Sequence, residues 1–130
     1  MNKSYIITLD GIRIGTTQLE TADPPMGVVM GKIYFENIDS GYQLFHQYCL
    51  KSGIQPDEHD PSRKFIQTPS IPELILHKPD GLVIKGLGTY VTGFESDFEI
   101  TVLGIPYPFY EEEFHQHCRD YKGRTGNKDY

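Results

Sequence analysis

The chain has no tryptophan, only two cysteines and only three methionines among its 130 residues. Two cysteines cannot supply the dense disulfide framework of a small secreted scaffold, so both are expected as free thiols. No apolar run approaches the roughly 18 residues of a spanning helix. Met1-Asn2-Lys3-Ser4-Tyr5 leads straight into a strand-like stretch without the profile of a signal peptide. A cytoplasmic protein is the expectation. Positive charge is scarce too, with 12 Lys and Arg against 18 Asp and Glu and a net charge of −6. Such a surface repels phosphate backbones and anionic lipid, which argues against nucleic-acid and membrane binding. The same field speeds association with a basic protein.

Catalytic signatures are missing as well. There is no Walker A sequence, no Gly-x-Ser-x-Gly and no His-Glu-x-x-His, and spacing nominates no serine triad. Gly86-Leu87-Gly88 starts like a phosphate-binding fingerprint but lacks its third glycine and the helix that should follow. A bulged strand is the better reading. No cofactor is expected, and a non-enzymatic protein is favoured over an enzyme.

What the chain does contain is turn-forming residues, 13 Gly and 9 Pro, and an aromatic load of nine Tyr and seven Phe. At 38% hydrophobic it can build an ordinary globular core, burying about two-thirds of its unfolded surface. It also carries an internal echo. Phe45-His46-Gln47-Tyr48-Cys49 returns as Phe114-His115-Gln116-His117-Cys118, and Asp10-Gly11 returns as Asp80-Gly81. Matches at nearly one spacing predict a duplicated unit. The expected fold class is therefore α+β: two similar β-hairpin–β–α units, antiparallel sheets, and two helices packed on one face about a pseudo-two-fold axis. The single domain of residues 1–130 divides into a first unit over 1–53, a connecting loop over 54–72, a second unit over 73–123 and a polar tail over 124–130.

Local signals place the elements. Asp10-Gly11 between Tyr5–Leu9 and Ile12–Leu19 predicts a type I′ hairpin, since both turn positions need positive φ. Pro24 and Pro25 predict that Thr21–Pro25 is a loop. Gly27–Phe35 reads as a third strand, in which Gly31 marks a bulge or a close backbone approach. Ser40, with Gln43 three residues on, opens a helix to about Lys51 with Gly53 as its left-handed stop. Residues 54–72, with four prolines, read as structureless. Leu74–Lys78, Asp80-Gly81 and Leu82–Lys85 rebuild the hairpin, Leu87–Phe94 extends it, and Phe98–Leu103 is the next strand. A last helix spans about Tyr110–Tyr121, ended by Gly123, with Glu111, Glu112 and Glu113 in its first turn where the macrodipole favours anions.

The repeated His-x-x-Cys is the sharpest chemical candidate. His46 with Cys49 and His115 with Cys118 each share a helix face, and two such helices side by side could hold a tetrahedral zinc. Against this, each cysteine falls in an apolar stripe, where free Cys behaves as a small buried hydrophobe. Metal binding is not favoured, although a zinc-stabilised structural domain remains one alternative. Cys118 beside His115, His117 and Arg119 could also be a reactive thiol, but its stripe position argues for burial. A small-ligand site between the two units is the other alternative, because pockets favour such junctions. The candidate partner contacts are Asp57, Glu58 and Asp60 in the acidic loop, Glu111–Glu113 on the last helix, and Met26, Tyr107 and Phe109 as apolar anchors on proline-rich turns.

Leu9-Asp10-Gly11-Ile12 through Ala22-Asp23-Pro24-Pro25-Met26-Gly27-Val28-Val29 resembles the opening of small bacterial cytoplasmic proteins, among them immunity-type antitoxins encoded beside polymorphic toxins. The resemblance covers about the first quarter of the chain and brings no residue of known role. It implies a protein-binding module, an inhibitor that occludes a basic toxin by direct contact. No residue specifies the oligomeric state.

Overall fold

At Asp10-Gly11 the chain has two successive residues with positive φ, 53° and 80°. That is the type I′ geometry that matches the twist of a hairpin. It joins β1 (Tyr5–Leu9) to β2 (Ile12–Thr17), with Leu9 opposite Ile12. The computed structural model describes residues 3–125. It is α+β, with two antiparallel sheets and three helices.

The second hairpin corrects the loop expected at Thr21–Pro25. β3 (Thr21–Asp23) pairs with β4 (Val28–Lys32). The two prolines fall just outside the pairing, in a single 3₁₀ turn over Pro24–Met26, and Gly27 leaves it at φ 68°. The expected strand Gly27–Phe35 is also divided. At Ile33 the chain leaves β4 and its sheet, and the short β5 (Tyr34–Phe35) joins β2 in the other sheet. Gly31 is the close approach that its sequence position suggested. A methyl group there would collide with Thr17 Oγ1 and lie 2.6 Å from the Leu19 backbone nitrogen.

α1 (Gly41–Ser52) begins where the Ser40 hydroxyl accepts a hydrogen bond from the Gln43 amide, 3.2 Å, and ends at left-handed Gly53. Its buried face is Tyr42, Phe45 and Cys49. Residues 54–72, expected to be structureless, contain a third hairpin: β6 (Glu58–Asp60), a 3₁₀ turn over Pro61–Arg63, and β7 (Phe65–Gln67). The device is that of the second hairpin. An Asp-Pro step starts the turn and a left-handed residue ends it, here Lys64 at φ 51°. Prolines at the start of a 3₁₀ turn cost no ladder hydrogen bond, so they punctuate strands without preventing them.

β8 (Leu74–His77) pairs with β1, and the Asp80-Gly81 corner then behaves unlike the first. Pro79, with its fixed negative φ, suits the second position of an ordinary turn, and the turn shifts back to Lys78–Gly81, closed by the Gly81 amide donating to the Lys78 carbonyl. The expected strand Leu82–Lys85 is reduced to one bridge, His77 to Val83. β9 (Gly88–Phe94) and β10 (Asp97–Leu103) form the last hairpin. The final helix is split at Phe114 into α2 (Phe109–Glu113) and α3 (His115–Thr125), and Gly123 lies inside α3 rather than ending it.

The sheets run β5-β2-β1-β8 and β3-β4-β10-β9-β7-β6. In each, the first half meets the second in an antiparallel pair, β1 with β8 and β4 with β10. Beyond those pairs the halves differ: β5, β6 and β7 have no counterpart, and only one helix is split. The outermost strands, β3, β5, β6 and β8, are two to four residues long. Tyr5, Ile7 and Leu9 of one sheet and Val29, Val91, Phe98, Ile100 and Val102 of the other are buried in a common core. Phe45 of α1 closes one end, its ring 5.4 Å from Phe98. Phe114 closes the other, its ring 5.9 Å from Tyr5.

Two glycine substitutions should move stability in opposite directions. Gly31→Ala meets backbone that cannot retreat and should cost about 1–3 kcal/mol in urea unfolding. Gly123→Ala, with open space around a helical position, should gain up to about 1 kcal/mol.

Candidate functional site

The two His-x-x-Cys pairs sit on helices that pack against different parts of the six-stranded sheet. α1 lies on β7 and β9, and α3 on β3 and the Pro24–Met26 turn. β9 and β3 are three strand steps apart, about 14 Å. His46, Cys49, His115 and Cys118 are therefore not brought together as a zinc site would need. Among the described residues no group of three or more His, Cys, Asp or Glu side chains could hold a metal ion. Both thiols are free and buried. Burial pushes the Cys49 thiol above its ordinary pKa. Cys118 Sγ lies 3.9 Å from the Tyr107 hydroxyl. Of the histidines around it, His115 is exposed and His117 Nε2 donates to the Leu19 carbonyl at 2.7 Å.

His46 instead finds a partner that the sequence did not suggest. Its ring lies 4.5 Å from His59 of β6, and Tyr42 stacks on both. The Tyr42 hydroxyl is 2.7 Å from His59 Nε2. This cluster pins β6 to α1, so the segment expected to be a solvated loop is held by ring contacts and by strand pairing. Within it Asp57 and Glu58 are exposed, and Asp60 is half-buried. Asp60 accepts from the Ser62 hydroxyl at 2.7 Å and its amide at 3.1 Å, which holds the carboxyl below its usual range.

The three consecutive glutamates separate. Glu111 and Glu112 face solvent, but Glu113 is only 6% exposed. That corrects its expected place among the surface contacts. Its carboxylate accepts from the Tyr5 hydroxyl at 2.7 Å, from Lys78 Nζ at 3.1 Å and from Lys3 Nζ at 3.2 Å. Lys3 also donates to the Glu113 carbonyl oxygen. Burial works to raise the pKa of this carboxyl. The three donors outweigh it and hold the group below the usual carboxylate range. Burial and the neighbouring carboxylate push the Tyr5 phenol well above its ordinary value. The cluster ties α2 to β1 and to Lys78, just beyond β8, where a charged hub must be fully bonded to persist.

The apolar candidates lie near one another, at the end of the six-stranded sheet marked by the Pro24–Met26 turn. Met26 is 67% exposed, and the Tyr107 hydroxyl donates to the Pro24 carbonyl at 2.7 Å. Phe109 is half-buried against the core. Leu82 and Leu87, not singled out in the sequence, are 46% and 90% exposed. A cleft of about 370 Å³ between β8 and the 83–89 segment is lined by Ile71, Leu74, Ile75, Val83 and Leu87, with Lys85 as its one charged side chain. Ser70 and Thr89 add hydroxyls to its lining, and no carboxylate, imidazole or thiol lines it. Compared with known proteins, the chain matches no family model, no curated protein and no solved structure.

Two measurements check this arrangement. Because Glu113 has a lower pKa folded than unfolded, its contribution is present at neutral pH and is lost as pH falls below about 4.5 and through the folded value. Glu113→Gln should cost about 2 kcal/mol at pH 7 and flatten the acid limb of the stability curve. Both cysteines should react with a thiol reagent only as fast as the protein unfolds, and prompt labelling of either would contradict their burial.

Proposed function

We propose that this protein is a non-enzymatic binding module of the immunity-inhibitor type, which acts in the cytoplasm by occluding a basic partner protein. The observation that carries this reading is where the large apolar side chains stand. Met26, Leu82, Leu87 and Tyr107 are all at least 43% exposed, a group separate from Ile12, Tyr34, Leu50 and Phe94, which are exposed elsewhere on the surface. Exposed apolar groups of this size, gathered near one end of a sheet, are what a protein interface uses as anchors. The groups able to do chemistry support the same reading. Two clefts do bring such groups together, His46, Cys49 and His59 along one of about 340 Å³ and Glu113, His115 and His117 along another of about 420 Å³, but Cys49 is buried, the His46 and His59 rings stack with Tyr42, and Glu113 is held by three donors. The acidic charge of −6 adds an electrostatic preference for a basic partner and raises its rate of association.

An inhibitor that works by occlusion is consumed one for one. The test is a titration of the full chain against the product of a neighbouring toxin gene, followed by toxin activity and by calorimetry. Inhibition should be complete at one molar equivalent, with a 1:1 complex whose affinity falls as salt is raised. Suppression by a small fraction of an equivalent would mean turnover, and absence of binding would remove the reading altogether.

A further inference from the structure

The alternation of β9 and β10 divides the six-stranded sheet into two faces of different character. Val91, Phe98, Ile100 and Val102 point to the core. Their neighbours Tyr90, Thr92, Phe94, Glu99, Thr101 and Leu103 point the other way. The strand register carries this outward set across the sheet. Met30 stands beside Thr101, with Tyr90 on its far side, and Phe65 stands beside Phe94. The four-stranded sheet, α1 and Phe114 all pack on the inner side. On the outer side only Thr101, flanked by Met30 and Tyr90, is buried. Phe94 is 48% exposed and Leu103 37%.

Charge on this face is one-sided. Its strand positions carry Asp23, Glu58, Asp60, Asp97 and Glu99, with Lys32 as the opposing cation. At one end Arg63 lies 5.7 Å from the Phe65 ring centroid and 3.9 Å from Asp60, and Lys64 pairs with Glu95 at 3.4 Å. That leaves Asp23, Glu58 and Asp97 as exposed carboxylates with no cation among those pairs. Six strands span about 24 Å.

Building on the binding-module reading, we propose that the outer face of the six-stranded sheet, centred on Met30, Tyr90 and Phe94, is the docking surface, and that its occupant is a protein presenting lysine or arginine around an apolar patch. Charge complementarity selects that occupant. A nucleic acid or an anionic membrane meets carboxylates where it would need cations. A second copy of the chain would set two acidic faces against each other. The aromatic and apolar centre supplies contact area, and the surrounding carboxylates supply register and speed.

The test places the photo-crosslinking amino acid benzoylphenylalanine in the full chain, at Tyr90 in one variant and at Thr8, on the outer face of the four-stranded sheet, in another. Both are irradiated in native cells. The expected result is one basic protein crosslinked from position 90 and absent from position 8. With that protein purified, Glu58→Lys combined with Asp97→Lys should weaken its binding at least tenfold and flatten the salt dependence, while the melting temperature stays within a few degrees of the parent. The same partner captured only from position 8 would place the interface elsewhere and overturn this surface while keeping the binding-module reading. A nucleic acid, or a second copy of the chain, captured from position 90 would overturn the occupant. No crosslink from either position, with no complex in the titration above, would overturn the binding module itself.

Discussion

The two sheets depend on a corner where the chain passes between them twice. It goes out from β2 to β3 through Gln18–Glu20 and comes back from β4 to β5 through Ile33. At that corner the backbone of Gly31 lies against Thr17 and Leu19 so closely that no side chain fits between them. The crossing is held by short contacts on both sides. Leu19 N donates to Thr17 Oγ1, Ile33 N donates to the Phe98 carbonyl, and Lys32 N donates to the Glu20 carboxylate. Everything above the corner follows from it. The sheets must face each other, and their inner residues must share one core. The helices can then only close its open ends, which is where Phe45 and Phe114 are found.

Much of this was legible in the residues, and the failures share a cause. The first Asp-Gly corner, the Ser40 cap, the Gly53 stop and the close approach at Gly31 are local instructions, each obeyed because nothing in the tertiary structure opposes it. The meaning of a proline depends on its place in the turn. Pro24, Pro25 and Pro61 suggest unstructured chain, yet all three sit at the start of a 3₁₀ hairpin turn, in positions that need no amide. A usable signal was present, because Asp-Pro stands four residues before a left-handed position at both Asp23-Pro24 and Asp60-Pro61. At the second Asp-Gly corner a single preceding Pro79 changed the turn type, and a strand shrank to a bridge. Duplication of sequence words therefore does not guarantee duplication of local structure.

Side-chain roles were harder to read than the backbone. Three adjacent glutamates look alike in sequence, but the break at Phe114 turns Glu113 inward to Tyr5, Lys3 and Lys78, residues from distant parts of the chain. His46 looked toward Cys49 by helical spacing and in fact packs against His59, thirteen residues away on a strand not anticipated. These partners are set by tertiary contacts of long sequence separation, and no pattern of nearby residues encodes them. The open face of the six-stranded sheet was hidden for the same reason. Tyr90, Met30 and Phe65 become neighbours only once the strand order is known.

One consequence follows from the shortness of the outermost strands. A sheet border invites addition of another chain in proportion to the number of consecutive backbone groups it leaves unpaired. Here each border offers two to four residues, ended by a proline, a turn or a helix cap. Such a ladder is too brief to template fibrous growth. The molecule can therefore carry a broad, partly apolar sheet at its surface without that sheet propagating from copy to copy.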